Sequence, residues 1–253
     1  MTDIKAAVQD KFGPAAFNYS TSPIHAKGQD LQWMVEAASL QGHERVLDVA
    51  CGAGHTSLAF APHVQQVIAS DFTASMLVQV ERLAAEQGLT NVEIRYADAE
   101  ALPFESGTFD VVVSRLGAHH WPHPVAALRE AARVLKPGGQ FILSDAVGLD
   151  EPAHDTFMQT CELLRDQSHV RDHTTGQWQA MLNDAGFESS VVRSWDIFVE
   201  FVPWIARLAT PALNTAMIKK LFDDAPQEVR AKLKVQSDYS FSLYMALFHA
   251  RLG

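Results

Sequence analysis

Three things are scarce in this 253-residue chain. Cysteine occurs only twice, as Cys51 and Cys161. Two distant thiols do not make the framework of a small secreted disulfide scaffold. They suit a reducing compartment, so a cytoplasmic location is expected. Positive charge is also short: 20 Lys and Arg against 30 Asp and Glu leave a net charge of -10. Such a surface repels phosphate backbones, which excludes broad nucleic-acid binding. Long apolar runs are the third absence. None approaches the roughly 20 residues needed to span a bilayer. The N-terminal stretch, with Asp3, Lys5, Asp10 and Lys11, has no signal-peptide core. No membrane attachment is expected. The remaining composition, 47% hydrophobic and 20% charged, is enough to bury a sizeable core.

Periodicity supplies the architecture. Residues 1–40 read as helical, broken near Gly13-Pro14 and again across 18–28. Short apolar runs at 45–50, 66–70, 92–97, 109–114 and 140–145 read as strands. Helices are predicted between them at 55–63, 73–87 and 122–135, with Thr73 as N-cap and Gly88 as C-terminal stop of the second. Strands alternating with helices predict right-handed crossovers and a parallel sheet covered on both faces. After Asp150 the rhythm changes. Helices are predicted at 152–167, 175–185 and within 202–235, and strands at 187–199 and 240–250. No linker separates independent domains. The expected layout is one domain over 1–253, with an N-terminal helical lid (1–40), a cofactor-binding core (41–150) and acceptor-side helices and strands (151–253).

The segment Val46-Leu47-Asp48-Val49-Ala50-Cys51-Gly52-Ala53-Gly54-His55 carries the most chemistry. A glycine turn leaving the first strand lets a ligand approach the backbone. A dinucleotide fingerprint wants a third glycine where this chain has Ser57. Asp48, still in the strand, would repel a pyrophosphate and favour a cation such as a sulfonium. Asp71 closes the second strand and can accept from ribose hydroxyls. Phe72 and Met76 follow, suited to sandwich a purine. Asp98 follows the third strand and can accept from an exocyclic amine. Each alone has an ordinary structural reading, as a tight turn, an N-cap or core. Together they stand at the carboxyl ends of successive parallel strands, where ligands of such sheets bind.

In those motifs the chain resembles the class I S-adenosylmethionine-dependent methyltransferases, and among them the UbiE-like branch. The segments are VLDVACGAGH (46–55), VIASDFTASML (67–77), ADAEALPFESGTFDVVVSRLGAHHW (97–121) and ALREAARVLKPGGQFILSD (127–145). The resemblance implies a Rossmann-like α/β/α sandwich. Its seven-stranded, mostly parallel sheet would have an antiparallel last strand, with a helical insertion before it. It implies S-adenosylmethionine as methyl donor, S-adenosylhomocysteine as product and a small-molecule acceptor. Carried over, Asp48, Gly52 and Gly54 would meet the methionine part, Asp71 the ribose, and Phe72 and Met76 the adenine faces. Asp98 and Ala99 would read the adenine edge, and Arg115 would line the methyl side. FGPAAFNYSTSPIHAKGQDL (12–31) and LLRDQSHVRDHT (163–174) resemble a narrower bacterial subset, whereas SRLGAHHWPHP (114–124) departs from quinone-methylating members.

Methyl transfer from a sulfonium asks the protein mainly for proximity, orientation and a dry pocket. A base is needed only where the nucleophile must lose a proton. His119, His120 and His123 follow the fourth strand. On an extended chain adjacent side chains diverge, so only one of His119 and His120 is expected to face the pocket. His120 is the candidate base, against a structural role. Metal binding by this cluster is not expected, since further ligands are not evident. Arg165, His169 and Arg171 lie in a polar segment that could cap the acceptor pocket and engage an anionic or carbonyl group, or could be a solvated face. Tyr19 and His25 could belong to a lid over the cofactor. Trp178, Trp195, Phe201 and Trp204 suggest a roofed acceptor cavity; core packing or a homodimer surface would explain them equally. The alternatives are a nonenzymatic S-adenosylmethionine-binding module and a nicotinamide-dependent oxidoreductase.

Overall fold

The computed structural model describes residues 3–253. In chain order the elements are α1 (Ile4–Ser20), α2 (Pro23–Ala26), α3 (Gln29–Ala38), β1 (Arg45–Val49), α4 (His55–Phe60), β2 (Gln66–Asp71), α5 (Ala74–Glu86), β3 (Val92–Tyr96) and β4 (Phe109–Arg115). There follow α6 (Pro124–Val134), β5 (Leu135–Ala146), α7 (Pro152–Arg165), α8 (Thr175–Asp184), β6 (Phe187–Val199), α9 (Phe201–Arg207), α10 (Ala212–Asp224), α11 (Gln227–Lys232) and β7 (Phe241–Leu252). One seven-stranded sheet has the order β3-β2-β1-β4-β5-β7-β6. Pairs among β1 to β5 are parallel, and β7 runs antiparallel to both β5 and β6. This is the expected mostly parallel sheet with an antiparallel last strand, and α9 to α11 form the insertion before it.

Strand alternation divides the core. Leu47, Val49, Val112, Phe141, Leu143 and Phe248 project to one face, against Leu128, Trp178 and Leu182 of α6 and α8. Val46, Val111, Val113, Ile142 and Leu247 project to the other, against Met34, Ala38 and Phe60 of α3 and α4. Both faces are covered, so the central strands are apolar throughout. A third cluster joins α7, α9, α10 and α11 to the start of β7 through Met158, Cys161, Trp204, Ile218, Phe222 and Phe241. In register, Val49 lies beside Ser70 and Asp71 beside Tyr96, so the carboxyl ends of β1, β2 and β3 finish on one edge.

Three local expectations need correction. The break at Gly13-Pro14 is absent, because α1 continues with Pro14 inside it. Pro14 removes one amide donor, but α1 is fastened from outside. The Ser75 hydroxyl donates to the Gly13 carbonyl at 3.0 Å, and Phe12, Ala16 and Tyr19 pack against Ala53 and Met76. Helix α6 begins at Pro124 rather than 122, with proline in its first turn. Residues 136–139 belong to β5, which pairs with β4 across a register shift at Phe109/Val111. That shift lets the glycine-containing stretch remain in the sheet.

Gly54 is the backbone pivot between β1 and α4. It caps α4 with φ of 89°, and an added Cβ would stand 2.8 Å from a Val80 methyl on α5. Only glycine satisfies both the left-handed backbone and this approach. Gly54→Ala is expected to destabilise the fold by about 2 to 4 kcal/mol. Adding Val80→Ala should return the steric share but not the backbone share. Denaturant unfolding of the single and double variants checks this, and a neutral Gly54→Ala would refute it.

Candidate functional site

A cleft of about 900 Å³, open to solvent, lies over the carboxyl ends of β1, β2, β3 and β4. The turn after β1 forms its floor. Gly52, at φ of 52°, has open space where a side chain would be, so a ligand can meet its backbone. Asp71 fixes this turn: one carboxylate oxygen accepts from the Gly52 amide at 2.9 Å, the other from the Thr73 amide at 2.7 Å. Burial raises its pKa and these amides oppose the shift. Two accepting bonds leave lone pairs on the carboxylate for a further donor.

Of the residues expected at a cofactor, Tyr19, Gly52, Asp71, Phe72, Met76, Asp98, Ala99 and Arg115 line this cleft, as does His120. Asp48 and Gly54 do not. Asp48 lies fully buried beneath the turn, its Oδ2 accepting from the Ser57 hydroxyl at 2.6 Å and its Oδ1 without a partner. Burial raises its pKa to about 7 against the Ser57 hydrogen bonds. Ser57, at the position of the missing third glycine, thus braces Asp48. Gly54 turns toward α5 instead of the cleft.

Two further expected residues are already engaged. Asp98 accepts from Lys5 Nζ at 2.6 Å and from the Glu100 amide at 3.0 Å. Lys5 also donates to Glu100 at 2.7 Å, which ties α1 across the cleft. Arg115 grips Asp30 of α3 with two bonds of 2.6 and 2.9 Å and donates to the His25 carbonyl at 3.0 Å. Lys5, Glu100 and Asp30 were not signalled by the sequence, because each works through a partner dozens of positions away.

A second cavity of about 710 Å³ adjoins the first. Phe12, Tyr19, His25, Leu116 and His120 line both. Beyond this neck stand His119, Glu162, Arg165, Asp172 and Arg207 on the polar side, and Ile197, Val199, Leu243 and Met245 on the apolar side. Trp204 lines it too, whereas Trp178 is core and Trp195 packs against Trp33 at 5.1 Å.

The histidine pair departs from expectation. Residues 118–120 form a single 3-10 turn, not an extended segment, so His119 and His120 both reach the second cavity, rings 4.2 Å apart. His119 Nδ1 donates to Asp145 at 2.7 Å. Burial would depress its pKa, but the charge and hydrogen bond of Asp145 raise it to about 9. His120 Nδ1 donates to the Ser168 carbonyl at 3.0 Å, which fixes the proton there and leaves Nε2 unprotonated, 3.9 Å from Asp166. Burial, then the His119 charge, lowers His120 to about 4.

The 165–171 segment does close over this pair, through its backbone. The Val170 and Arg171 amides both donate to the His119 carbonyl at 3.1 Å. Asp166 holds the turn, accepting from the Ser168 amide and hydroxyl. Arg165 faces the cavity, but Arg171 turns outward to pair with Asp155 at 2.7 Å, and His169 bonds Gln159 at 2.9 Å outside the lining. The Arg171 amide is engaged at the His119 carbonyl while its side chain turns to the other side.

Fold, glycine turn and paired chambers define a nucleoside-cofactor transferase of the Rossmann-like kind. The comparisons make this particular. A methyltransferase-domain family matches residues 47–143. The uncharacterized methyltransferase YcgJ of Bacillus subtilis is 37% identical over 219 residues, 87% of each chain. Its crystal structure superposes with a TM-score of 0.84, over 88% of this chain and 97% of that one. Bacillus halodurans BH2331 gives a TM-score of 0.85 at 36% identity, over 88% and 99%. A demethylmenaquinone methyltransferase of Clavibacter sepedonicus is 35% identical over 147 residues, 55% of this chain and 59% of that one. The chain belongs to the class I S-adenosylmethionine-dependent methyltransferases and is an enzyme of methyl transfer. No helix among the described residues is long and apolar enough to cross a membrane.

The His119–Asp145 pair carries a pH signature. A histidine raised from 6.5 to about 9 binds its proton more tightly folded than unfolded. Its stabilisation is complete below pH 6.5 and is lost as pH rises through 9, up to about 3 kcal/mol. Melting temperature should therefore fall across that interval, and His119→Gln should flatten the slope. An unchanged slope in the variant would exclude the pair as its source.

Proposed function

We propose that the first cleft holds S-adenosylmethionine, the second cavity holds a small-molecule acceptor, and the methyl group crosses the neck between them. The observation that carries this reading is that the same five residues, Phe12, Tyr19, His25, Leu116 and His120, wall both spaces. The first cleft suits a cationic nucleoside. Asp71, Asp98 and Glu100 line it against Lys5, while Arg115 is neutralised by Asp30. Asp71 has lone pairs for ribose hydroxyls, and Phe72 and Met76 offer apolar surface to adenine. Ala99 and Asp98 border its edge, with Asp98 shared with Lys5. Gly52 opens its backbone to the methionine part. Gly54 and Asp48 act from below by fixing that turn.

When bound, the donor supplies an electrophilic methyl on a sulfonium that departs as a neutral thioether. The chain orients the two reactants and excludes water at the neck. His120 Nε2 takes the proton of a protic nucleophile as its lone pair forms the bond to the methyl carbon and the carbon–sulfur electron pair stays on sulfur. Asp166 then faces the imidazolium so formed. Arg165 takes the acceptor-side role, without Arg171 and His169, whose side chains lie outside the lining.

S-adenosylmethionine and S-adenosylhomocysteine should each raise the melting temperature, by the equivalent of about 2.7 kcal/mol at a hundred times Kd, while NAD leaves it unmoved. Stabilisation by NAD alone would sink the reading. His120→Asn should keep the S-adenosylhomocysteine shift and lower labelled-methyl transfer into a small-molecule extract by about a hundredfold or more. Undiminished transfer would remove His120 as base.

A further inference from the structure

The second cavity has charges that do not balance. Its far end brings Arg165 of α7 and Arg207 of α9 to the Tyr19 hydroxyl, on which both charges act. Arg165 is provided for. Its Nε donates to the Trp204 carbonyl at 3.2 Å, its guanidinium lies 4.9 Å from the Trp204 ring, and Glu162 stands 3.6 Å away. Arg207 is half-buried, and among the described residues it has no hydrogen-bond partner and no carboxylate within ion-pair distance. A guanidinium withdrawn from water without a partner is costly, and an incoming anion would relieve it. The remaining walls agree. Glu162 and Asp172 line the cavity, but Glu162 already faces Arg165 and burial drives Asp172 toward the neutral acid, to about 7. Asp145 is committed to His119 and Asp166 to Ser168, so neither compensates Arg207. Opposite, Ile197, Val199, Leu243 and Met245 form an apolar wall from β6 and β7.

We propose that the methyl acceptor is an amphiphilic monoanion: an apolar body lies along the Ile197–Met245 wall, and a carboxylate-type group is gripped by Arg207 and Arg165. This rests on the reading of the second cavity as the acceptor site. A single charge is specified because only one guanidinium lacks compensation. The anion is a handle, not the reacting centre. Neither arginine lines the donor cleft, whereas His120 lines both spaces and marks the neck where the accepting atom sits.

The test uses three naphthalenes of one shape on the full-length enzyme saturated with S-adenosylhomocysteine: 2-naphthoate, 2-naphthamide and 2-naphthylmethylammonium, each titrated by calorimetry. The S-adenosylhomocysteine titration reports on the donor-site reading alone, so its failure is separable. The carboxylate is expected to bind at least about tenfold tighter than the amide, and the ammonium more weakly than either. Arg207→Gln should cost the carboxylate about tenfold, leave the amide within about twofold and leave S-adenosylhomocysteine uptake unchanged, which also reports a sound fold. Arg207→Lys should retain part of the preference. Equal binding of carboxylate and amide, preference for the ammonium, uptake of none of the three, or a preference that survives Arg207→Gln overturns the proposal.

Discussion

The geometry of the donor cleft is decided at one carboxylate. Asp71, at the tip of β2, takes the Gly52 amide on one oxygen and the Thr73 amide on the other. One end of that bridge is the turn leaving β1, and the other is the first turn of α5. Two crossovers of the sheet are thereby locked at a point where both would otherwise be free to hinge. Without the carboxylate, buried amides would lose their acceptor, at about 1–3 kcal/mol for each group left unsatisfied. Beneath the bridge the Ser57–Asp48 hydrogen bond and the approach of Gly54 to Val80 brace the same turn from the other side. The cleft floor is held because its supports come from two successive crossovers, β1–α4–β2 and β2–α5–β3, not from the loop itself.

At the second cavity the governing interaction is the commitment of Asp145 to His119. Two adjacent histidines, rings 4.2 Å apart, end on opposite sides of neutrality. Asp145 holds His119 as an imidazolium; burial and then that neighbouring charge keep His120 neutral. As the proposed base, His120 held near 4 is available at neutral pH but has little driving force of its own. It suits a nucleophile whose proton is already acidic in this cavity. The His119 imidazolium, its ring 4.2 Å from that of His120, would supply that acidity by stabilising the conjugate anion.

The fold was largely legible in the sequence because its signals are local. Apolar runs alternate with helical stretches, proline and glycine punctuate them, and parallel strands bury both faces. Asp71, Phe72, Met76 and Asp98 could be found because each follows directly on a strand, and strand ends define the ligand edge. What escaped depends on contacts between distant segments. Lys5 reaches Asp98 across 93 positions and Arg115 reaches Asp30 across 85. Arg207 looks like an ordinary helical cation until α9 turns it toward Tyr19. The histidine pair was misjudged because alternation holds only for extended backbone, and a 3-10 turn sets both rings on one side. Arg171 was misjudged because a polar segment can serve with its amides while its side chain faces water.

Helix α1 unites the two halves of the site. It carries Phe12 and Tyr19, which line both chambers, yet its fastenings are almost all to the donor side. These are Lys5 to Asp98 and Glu100, the Gly13 carbonyl to Ser75, and the Tyr19 carbonyl to His55 at 3.1 Å. A wall common to two chambers cannot shift for one ligand without reshaping the other. Whatever fixes α1 against the glycine turn also fixes Tyr19 before Arg165 and Arg207. Under the proposed assignment, binding at the two sites would be thermodynamically linked, and such linkage is reciprocal. On that assignment a donor holding α1 would help complete the wall of the acceptor cavity, and an acceptor engaging the Tyr19 end would act back on the donor cleft. The shared wall would make that coupling useful, since transfer between the two chambers requires water to be excluded from both at once.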